Sequence, residues 1–126
     1  MHYEKILKSL SDRTRLRILY VLLKAKKELC ICEIMDTLAL EHYNVSKHMK
    51  ELKVTGLVKE QRSGKFVFYA LADNKDSFVR NIVEAVAAIP ETEFNEDTKR
   101  LNKRLTLRQN GKCVVGILKK SRKQKG

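Results

Sequence analysis

Three cysteines carry the most distinctive chemistry in this chain of 126 residues. Cys30 and Cys32 lie two apart within residues 28–34 (ELCICEI), and Cys113 lies far along the chain. A free cysteine is often a small apolar core residue, and each of the three taken alone has that interpretation. On a regular helix, however, side chains two residues apart point in nearly opposite directions, because each residue turns by about 100°. Either one of the paired thiols is exposed, or the segment is not a regular helix when both thiols act.

Paired thiols can bind a soft metal ion or oxidise. The pair stands at the predicted start of a helix, where the helix dipole lowers the pKa of a thiol and favours the metal-binding thiolate. Oxidation is the alternative chemistry, and it would make the pair a redox sensor. Three cysteines cannot all pair within one chain, and a reducing cytosol keeps thiols free. We therefore expect ligands or core residues rather than disulfides.

The elements that position the pair are predicted from hydrophobic periodicity. Apolar residues recur at helical spacing over residues 3–10, 13–27, 31–38 and 44–55. Asp12 is a suitable N-cap for the second of these helices. The third and fourth helices are short and are joined by a turn of about four residues, which is the helix-turn-helix arrangement.

A β-hairpin and a further helix follow. Residues 57–62 and 65–71 are predicted strands, the second rich in aromatic and β-branched residues, and a Ser-Gly pair between them indicates a tight turn. A helix is predicted over residues 73–90, and Pro90 ends it. This order predicts a mainly α fold with a small β-hairpin, a winged helix-turn-helix in which the hairpin is the wing.

The helix before Pro90 has an unusually broad apolar face, formed by Phe78, Val79, Ile82, Val83, Ala85, Val86 and Ile89. A small monomer cannot cover such a face, so we predict a homodimer. The chain is expected to divide into a DNA-binding and dimerisation domain, residues 1–90, and a basic C-terminal extension, residues 91–126. Residues 96–109 are a predicted helix of that extension.

The charge distribution indicates a polyanionic partner. The net charge is +12, and residues 95–126 alone hold 11 Lys and Arg against 2 Asp and Glu. Nucleic acid is the usual polyanion for such a chain. The sequence contains no phosphate loop, nucleophile triad or paired carboxylates, so an enzyme is not expected. It also has no apolar stretch of membrane-spanning length and no signal-peptide pattern, so we expect a cytoplasmic protein without a membrane partner.

Outward-facing polar residues of the fourth helix and cations of the wing have the chemistry to contact base edges and phosphates. The predicted DNA contacts are Asn44, Ser46, Lys47, His48, Lys50, Arg62 and Lys65. Alternatives remain for some of them, because Ser46 can bond to local backbone and His48 can pack against the first helices. Arg13 and Arg15 suit phosphate contacts and surface ion pairs equally well.

These segments together resemble the ArsR/SmtB family of metal-sensing repressors, and in particular its arsenite-responsive branch. The resemblance covers about residues 1–90: LSDRTRLRIL, then ELCICEI, then YNVSKHMKELKVTGLV and the wing RSGKFVFYAL. It implies a homodimeric winged-helix repressor that binds operator double-stranded DNA and releases it when As(III) or Sb(III) binds. It also implies that residues 44–55 are the recognition helix and that Cys30 and Cys32 bind the inducer.

One position departs from the family pattern. Related proteins often have a third cysteine three residues after the second, and here that residue is Met35. A thioether is a poor substitute for a thiolate, and trivalent arsenic prefers three sulfur ligands, so Cys113 is the candidate in this chain. Alternatively, Cys113 is an ordinary thiol and a small cellular thiol completes the site. A second family site for zinc-type metals needs histidine, and residues 73–88 contain none.

The sequence leaves the inducer and its mechanism open at two points. Two or three thiolates also suit Cd(II), Pb(II) or Cu(I), and thiol oxidation is the other alternative. If residues 30–38 form a regular helix, binding one ion by both cysteines requires its first turn to unwind. We expect that distortion to reach the recognition helix through residues 39–43, with a coupling of about 1–3 kcal/mol.

Overall fold

Helices dominate the computed structural model, which describes residues 2–114 and 116. The elements in this part of the chain are α1 (Tyr3–Ser9), α2 (Arg13–Ala25), β1 (Leu29–Cys30), α3 (Ile31–Leu38), α4 (His42–Val54), β2 (Val58–Ser63), β3 (Phe66–Leu71), α5 (Ser77–Ala87), a 3₁₀ turn (Glu91–Phe94) and α6 (Asn95–Leu105). Within the described residues, no helix has the length and apolar character needed to cross a membrane.

Aspartate side chains begin two of the helices. The Asp12 carboxylate accepts the backbone N–H of Arg15 at 3.1 Å, which confirms the predicted N-cap of α2. Helix α5 begins later than predicted, because Asp76 caps it by accepting the N–H groups of Phe78 and Val79. The three residues before Asp76 belong to no helix or strand, so they are not the first turn of this helix.

Helices α3 and α4 form the predicted helix-turn-helix. Ala39 ends α3 in the left-handed conformation (φ 58°), and α4 begins three residues later. The inward residues Val45, Met49 and Leu52 of α4 are fully buried, as the periodicity indicated. Burial of this apolar face fixes the rotation of α4 and turns its polar residues outward.

The wing is a three-stranded sheet rather than a two-stranded hairpin. Strands β2 and β3 pair antiparallel around a turn in which Gly64 has φ 60°. The short strand β1 adds to the other edge of β3, with Cys30 opposite Phe68, so the strand order is β1-β3-β2. Sequence patterns missed β1 because two residues carry no periodicity. Because β1 pairs with β3, Cys30 belongs to the sheet of the wing.

The chain after Pro90 folds back onto the helix-turn-helix. Helix α6 packs against α3 and α2, with Phe94 and Leu101 buried in the core. Arg17 of α2 also forms a two-bond ion pair with Asp97, at 2.8 and 2.9 Å. The predicted helix over residues 96–109 ends earlier, at Leu105. Residues 113–118 of the extension form a short apolar run (CVVGIL), of which Val115, Ile117 and Leu118 lie outside the described residues.

The first and last helices of residues 1–90, α1 and α5, leave apolar side chains partly exposed. Tyr3 and Leu7 of α1 are 43% and 52% exposed. The Tyr3 ring contacts Phe78 of α5, with ring centroids 4.8 Å apart, so the two helices are neighbours. Ile82 and Val83 of α5 are only half-buried. Together these residues form a surface that we call the α1/α5 face.

Candidate metal site and DNA interface

The sulfur atoms of Cys30 and Cys32 lie side by side, 3.0 Å apart. Cys30 is the last residue of β1 and the N-cap of α3, with extended backbone angles (φ −67°, ψ 149°), whereas Cys32 is inside the first turn of the helix. The change of backbone conformation between them lets both side chains point to one place, and both are buried. The second sequence-based alternative therefore holds, since the segment is not a regular helix. The expectation that α3 must unwind to bring the two sulfurs together is wrong.

Cys113 completes a cluster with the pair. It is buried, its sulfur lies 3.6 Å from that of Cys32, and all three sulfurs lie within 4.8 Å of one another. The chain reaches this point through a tight turn after α6, in which Gln109 and Lys112 exchange backbone hydrogen bonds. Asn110 and Gly111 between them have φ of 53° and 72°, which suits the Asn-Gly pair. That pair forms a hairpin-like turn here, beyond the end of α6 at Leu105.

Hydrogen bonding makes the three thiols unequal. The hydrogen bond that Cys32 donates lowers the pKa of Cys30, whereas the same bond raises the pKa of Cys32. Burial raises the pKa of Cys113. One proton shared between neighbouring sulfurs is the physical cause in the first two cases. Cys30 is therefore the readiest thiolate of the cluster at neutral pH.

Two buried ion pairs surround the sulfurs. Glu33, completely buried, accepts the N–H of Cys30 at 2.9 Å and two hydrogen bonds from Arg108, both at 2.7 Å. One turn further along α3, Asp36 accepts a 2.8 Å bond from the buried guanidinium of Arg104. Charged groups this deeply buried require such partners. The two acids thus connect α3 to Arg104 of α6 and to Arg108, which lies three residues after the end of that helix.

A cleft of about 430 Å³ opens beside Cys113. Phe66 and Phe68 of β3 line it together with Lys112 and Arg108. These two phenylalanines also pack against the three cysteines, so the cleft leads to the sulfur cluster. A small solute can therefore approach the thiols from solvent.

Helix α4 presents most of its predicted DNA contacts on its outer side. Lys47 and Lys50 are exposed, and Asn44 and Ser46 are half-buried on the surface. The Ser46 hydroxyl lies 3.3 Å from Nδ1 of His42, so it is engaged by a side chain. Lys47 and Lys50 are thus accessible to a polyanion, while Asn44 and Ser46 flank the buried side of the helix.

His48 takes a different direction from its neighbours on α4. Its side chain is 13% exposed, and its Nδ1 lies 3.2 Å from Nη1 of Arg15 and 3.9 Å from a carboxylate oxygen of Asp12. Burial lowers the pKa of His48. This position matches the sequence-based alternative of packing against the first helices.

The cations of the wing are exposed to solvent, whereas those at the start of α2 bond to other groups of the protein. Arg62 and Lys65 are exposed beside the wing turn. Arg13, by contrast, forms a 2.9 Å ion pair with Glu93, and Arg15 donates to the carbonyl of Ser9 at 2.6 Å. The structure therefore favours the ion-pair interpretation for Arg13, whereas Arg15 is held by a backbone carbonyl.

Sequence reasoning missed four residues of these two sites. Tyr43 is 73% exposed near the start of α4, with Lys47 5.7 Å above its ring centre. A large exposed aromatic next to predicted contacts was a usable signal. Glu33, Arg104 and Arg108 surround the cysteines, but the arginines lie about 70 residues away from the acids, and no local pattern predicts such pairing.

Comparison with known proteins identifies this arrangement. Residues 12–60 match the family model described as "Bacterial regulatory protein, arsR family". A homolog of the cadmium resistance regulatory protein CadC from Staphylococcus aureus is 37% identical over 67% of this chain and 66% of its own length. The arsenic resistance regulator ArsR2 from Pseudomonas putida is 34% identical over 63% of this chain and 68% of its own length.

The fold has a counterpart among solved structures. Reduced HlyU from Vibrio cholerae superimposes with a TM-score of 0.56 at 30% identity, covering 65% of this chain and 81% of that one. These relatives are transcriptional regulators, a class of DNA-binding proteins that catalyse no reaction. The chain accordingly belongs to the ArsR family and is a winged-helix transcriptional regulator, not an enzyme.

Proposed function

We propose that this repressor releases its operator when As(III) or Sb(III) binds to Cys30, Cys32 and Cys113. The observation that carries the proposal is the cluster of three buried sulfurs within 4.8 Å of one another. Similarity to an arsenic resistance regulator supports the same inducer class. The cleft beside Cys113 supplies the route by which an inducer reaches the sulfurs.

The spacing of the sulfurs fits a shared ion. With metal–sulfur bonds of about 2.3 Å, three sulfurs spread evenly around one ion are at most about 4 Å apart. The Cys30–Cys32 and Cys32–Cys113 pairs, at 3.0 and 3.6 Å, already lie within that limit, and the third pair needs a shift of less than about 1 Å. Three thiolates also neutralise a trivalent ion, whereas on a divalent ion they leave one negative charge in a buried site. The spacing suits a divalent ion as well, so the charge balance is what favours As(III) or Sb(III).

The DNA-binding surface in this proposal consists of α4 and the wing. Lys47 and Lys50 of α4 contact phosphates of the major groove, and Arg62 and Lys65 of the wing contact the neighbouring backbone. Asn44 and Ser46 lie toward the start of α4, where a recognition helix meets base edges. His48 contributes by holding α4 against α2 through Arg15.

A homodimer presents two such surfaces to one operator. The α1/α5 face is the part of the domain suited to pair with a second copy, because exposed Tyr3 and Leu7 adjoin the half-buried Ile82 and Val83. A twofold axis there places the two recognition helices on successive half-sites.

Contraction of the cluster is the proposed start of DNA release. Cys30 lies on β1, which pairs with β3 of the wing, and Cys32 lies on α3, which packs against α4. Drawing their sulfurs toward Cys113 shifts both DNA-contacting elements together. A coupling of about 1–3 kcal/mol lowers operator affinity about 5- to 150-fold.

Fluorescence anisotropy of the protein on DNA from upstream of its own gene tests this function. Arsenite is expected to abolish the binding, and Cys30→Ser should bind the DNA normally but fail to respond. A Cys30→Ser variant that still releases DNA contradicts the ligand set. Parallel titration with Cd(II), the metal named for the Staphylococcus relative, distinguishes a divalent inducer.

The 3.0 Å contact between the sulfurs of Cys30 and Cys32 favours one second candidate, a response to oxidation. Peroxide in the absence of metal is the test. Release of the operator by peroxide, reversed by a thiol reductant, together with indifference to arsenite, would replace the metal-based proposal.

A further inference from the structure

Arg108 connects the ligand helix α3 with the segment that carries Cys113. Two of its nitrogens donate to the carboxylate of Glu33 at 2.7 Å, and Nη1 donates to the carbonyl of Gly111 at 3.3 Å. Gly111 stands two residues before Cys113. One planar guanidinium therefore joins Glu33, the residue after the paired cysteines, to the turn that leads into the third cysteine.

Arg104 makes the corresponding connection on the other side of Cys113. Its Nε donates to Asp36 at 2.8 Å, and its Nη2 donates to the carbonyl of Gly116 at 3.0 Å. The same Nη2 lies 3.7 Å from the sulfur of Cys32. The segment is thus held by its carbonyls on both sides of Cys113, and each attachment ends on an acid of α3.

We propose that Arg104 and Arg108 are positioning residues that place Cys113 as the third sulfur ligand. This role rests on the proposed inducer binding. Cys113 is about 80 residues away from the pair in sequence, so its sulfur stays at the site only where the backbone around it is anchored. The two guanidiniums supply these anchors, and they explain how a chain with Met35 in place of the usual third cysteine retains a three-thiol site.

Positioning Cys113 requires a side chain that donates several hydrogen bonds in fixed directions, which the guanidinium of arginine does. A guanidinium presents several donors in a fixed plane, so it can hold a carboxylate and a carbonyl at once, whereas lysine offers one compact ammonium. Replacing either arginine by lysine keeps a positive charge next to the buried acid and releases the carbonyl. A role limited to charge pairing survives this change, but a positioning role does not.

The experiment compares Arg104→Lys and Arg108→Lys with a matched control, Arg100→Lys. Arg100 of α6 also donates to a carbonyl and to a carboxylate, those of Thr37 at 2.7 Å and Asp97 at 3.0 Å. It makes neither of the two carbonyl contacts around Cys113. X-ray absorption at the arsenic edge counts the sulfur neighbours of bound arsenite, in a phosphine reductant so that no external thiol contributes. Anisotropy measures the arsenite needed to release operator DNA.

We expect two sulfur neighbours instead of three in both lysine variants, and a requirement for about tenfold more arsenite, as is typical when a residue that orients a ligand is lost. Cys113→Ser should show the same change, and adding Arg108→Lys to it should cause no further loss. The Arg100→Lys control should keep three sulfur neighbours. Unchanged operator binding without arsenite verifies that each variant is folded.

Different results contradict different parts of the argument. Three sulfur neighbours and the parental arsenite requirement in both lysine variants overturn the positioning role, as does an additive loss in the double variant. If Cys113→Ser itself responds like the parent, the ligand set of the proposed function is wrong, and the positioning role falls with it.

Discussion

Replacing Lys50 by Gln should weaken operator binding in a way that depends on salt. Lys47 and Lys50 of α4 and Arg62 and Lys65 of the wing are exposed cations on the proposed DNA surface. With one phosphate for each of them, a dimer makes about eight contacts, and the slope of log affinity against log salt is about −7. Such a protein loses about 10⁴-fold in affinity between 50 and 200 mM salt.

The Lys50→Gln variant lacks one contact in each protomer, so its slope should be shallower by about 2. Lys53→Gln is the matched control, because Lys53 lies on the same helix but pairs with Glu60 at 3.0 Å. Its slope should equal that of the parent. Anisotropy on operator DNA at several salt concentrations measures all three slopes. Equal slopes for Lys50→Gln and the parent would refute the assignment of Lys50 to a phosphate.

The remaining predictions concern the packing of α4. Burial lowers the pKa of His48 below its usual value of 6.5, so the unfolded state binds more protons and the folded protein should lose stability as pH falls below about 6.5. Urea unfolding should show a smaller loss for His48→Gln; equal pH dependence in the two proteins argues against the buried ring. Leu52 is completely buried, so Leu52→Ala should lower the free energy of unfolding by about 2–5 kcal/mol, and a change below about 1 kcal/mol contradicts the packing described for α4.

The helix-turn-helix was predictable because its determinants are local. Val45, Met49 and Leu52 follow helical spacing, and the structure buries all three. Asp12 is likewise a local signal, since a capping side chain bonds within its own turn. Elements of this kind depend on a few neighbouring residues, so a single sequence contains the information needed to place them.

The geometry of the sulfur cluster was not predictable in the same way. Helical periodicity suggested opposite directions for Cys30 and Cys32, and the two-residue strand β1 that changes this geometry is too short to carry a pattern. It forms because β3 offers an edge about 40 residues later in the chain. The place of Cys113 depends in turn on Arg108 reaching Glu33, a contact 75 residues apart in sequence. Long-range contacts of this kind appear only when the tertiary structure is known.

The adjacency of the sulfurs also changes the mechanism that a response to an inducer requires. Unwinding the first turn of α3 would break backbone hydrogen bonds, which costs part of the inducer's binding energy. Because Cys30 already lies outside the helix, its sulfur and that of Cys32 lie 3.0 Å apart with α3 intact. The contraction of the cluster then moves β1 and the turn that leads to Cys113, which are both short elements. Since β1 is hydrogen-bonded to the wing, a contraction of the cluster reaches the DNA-binding surface through the sheet as well as through α3.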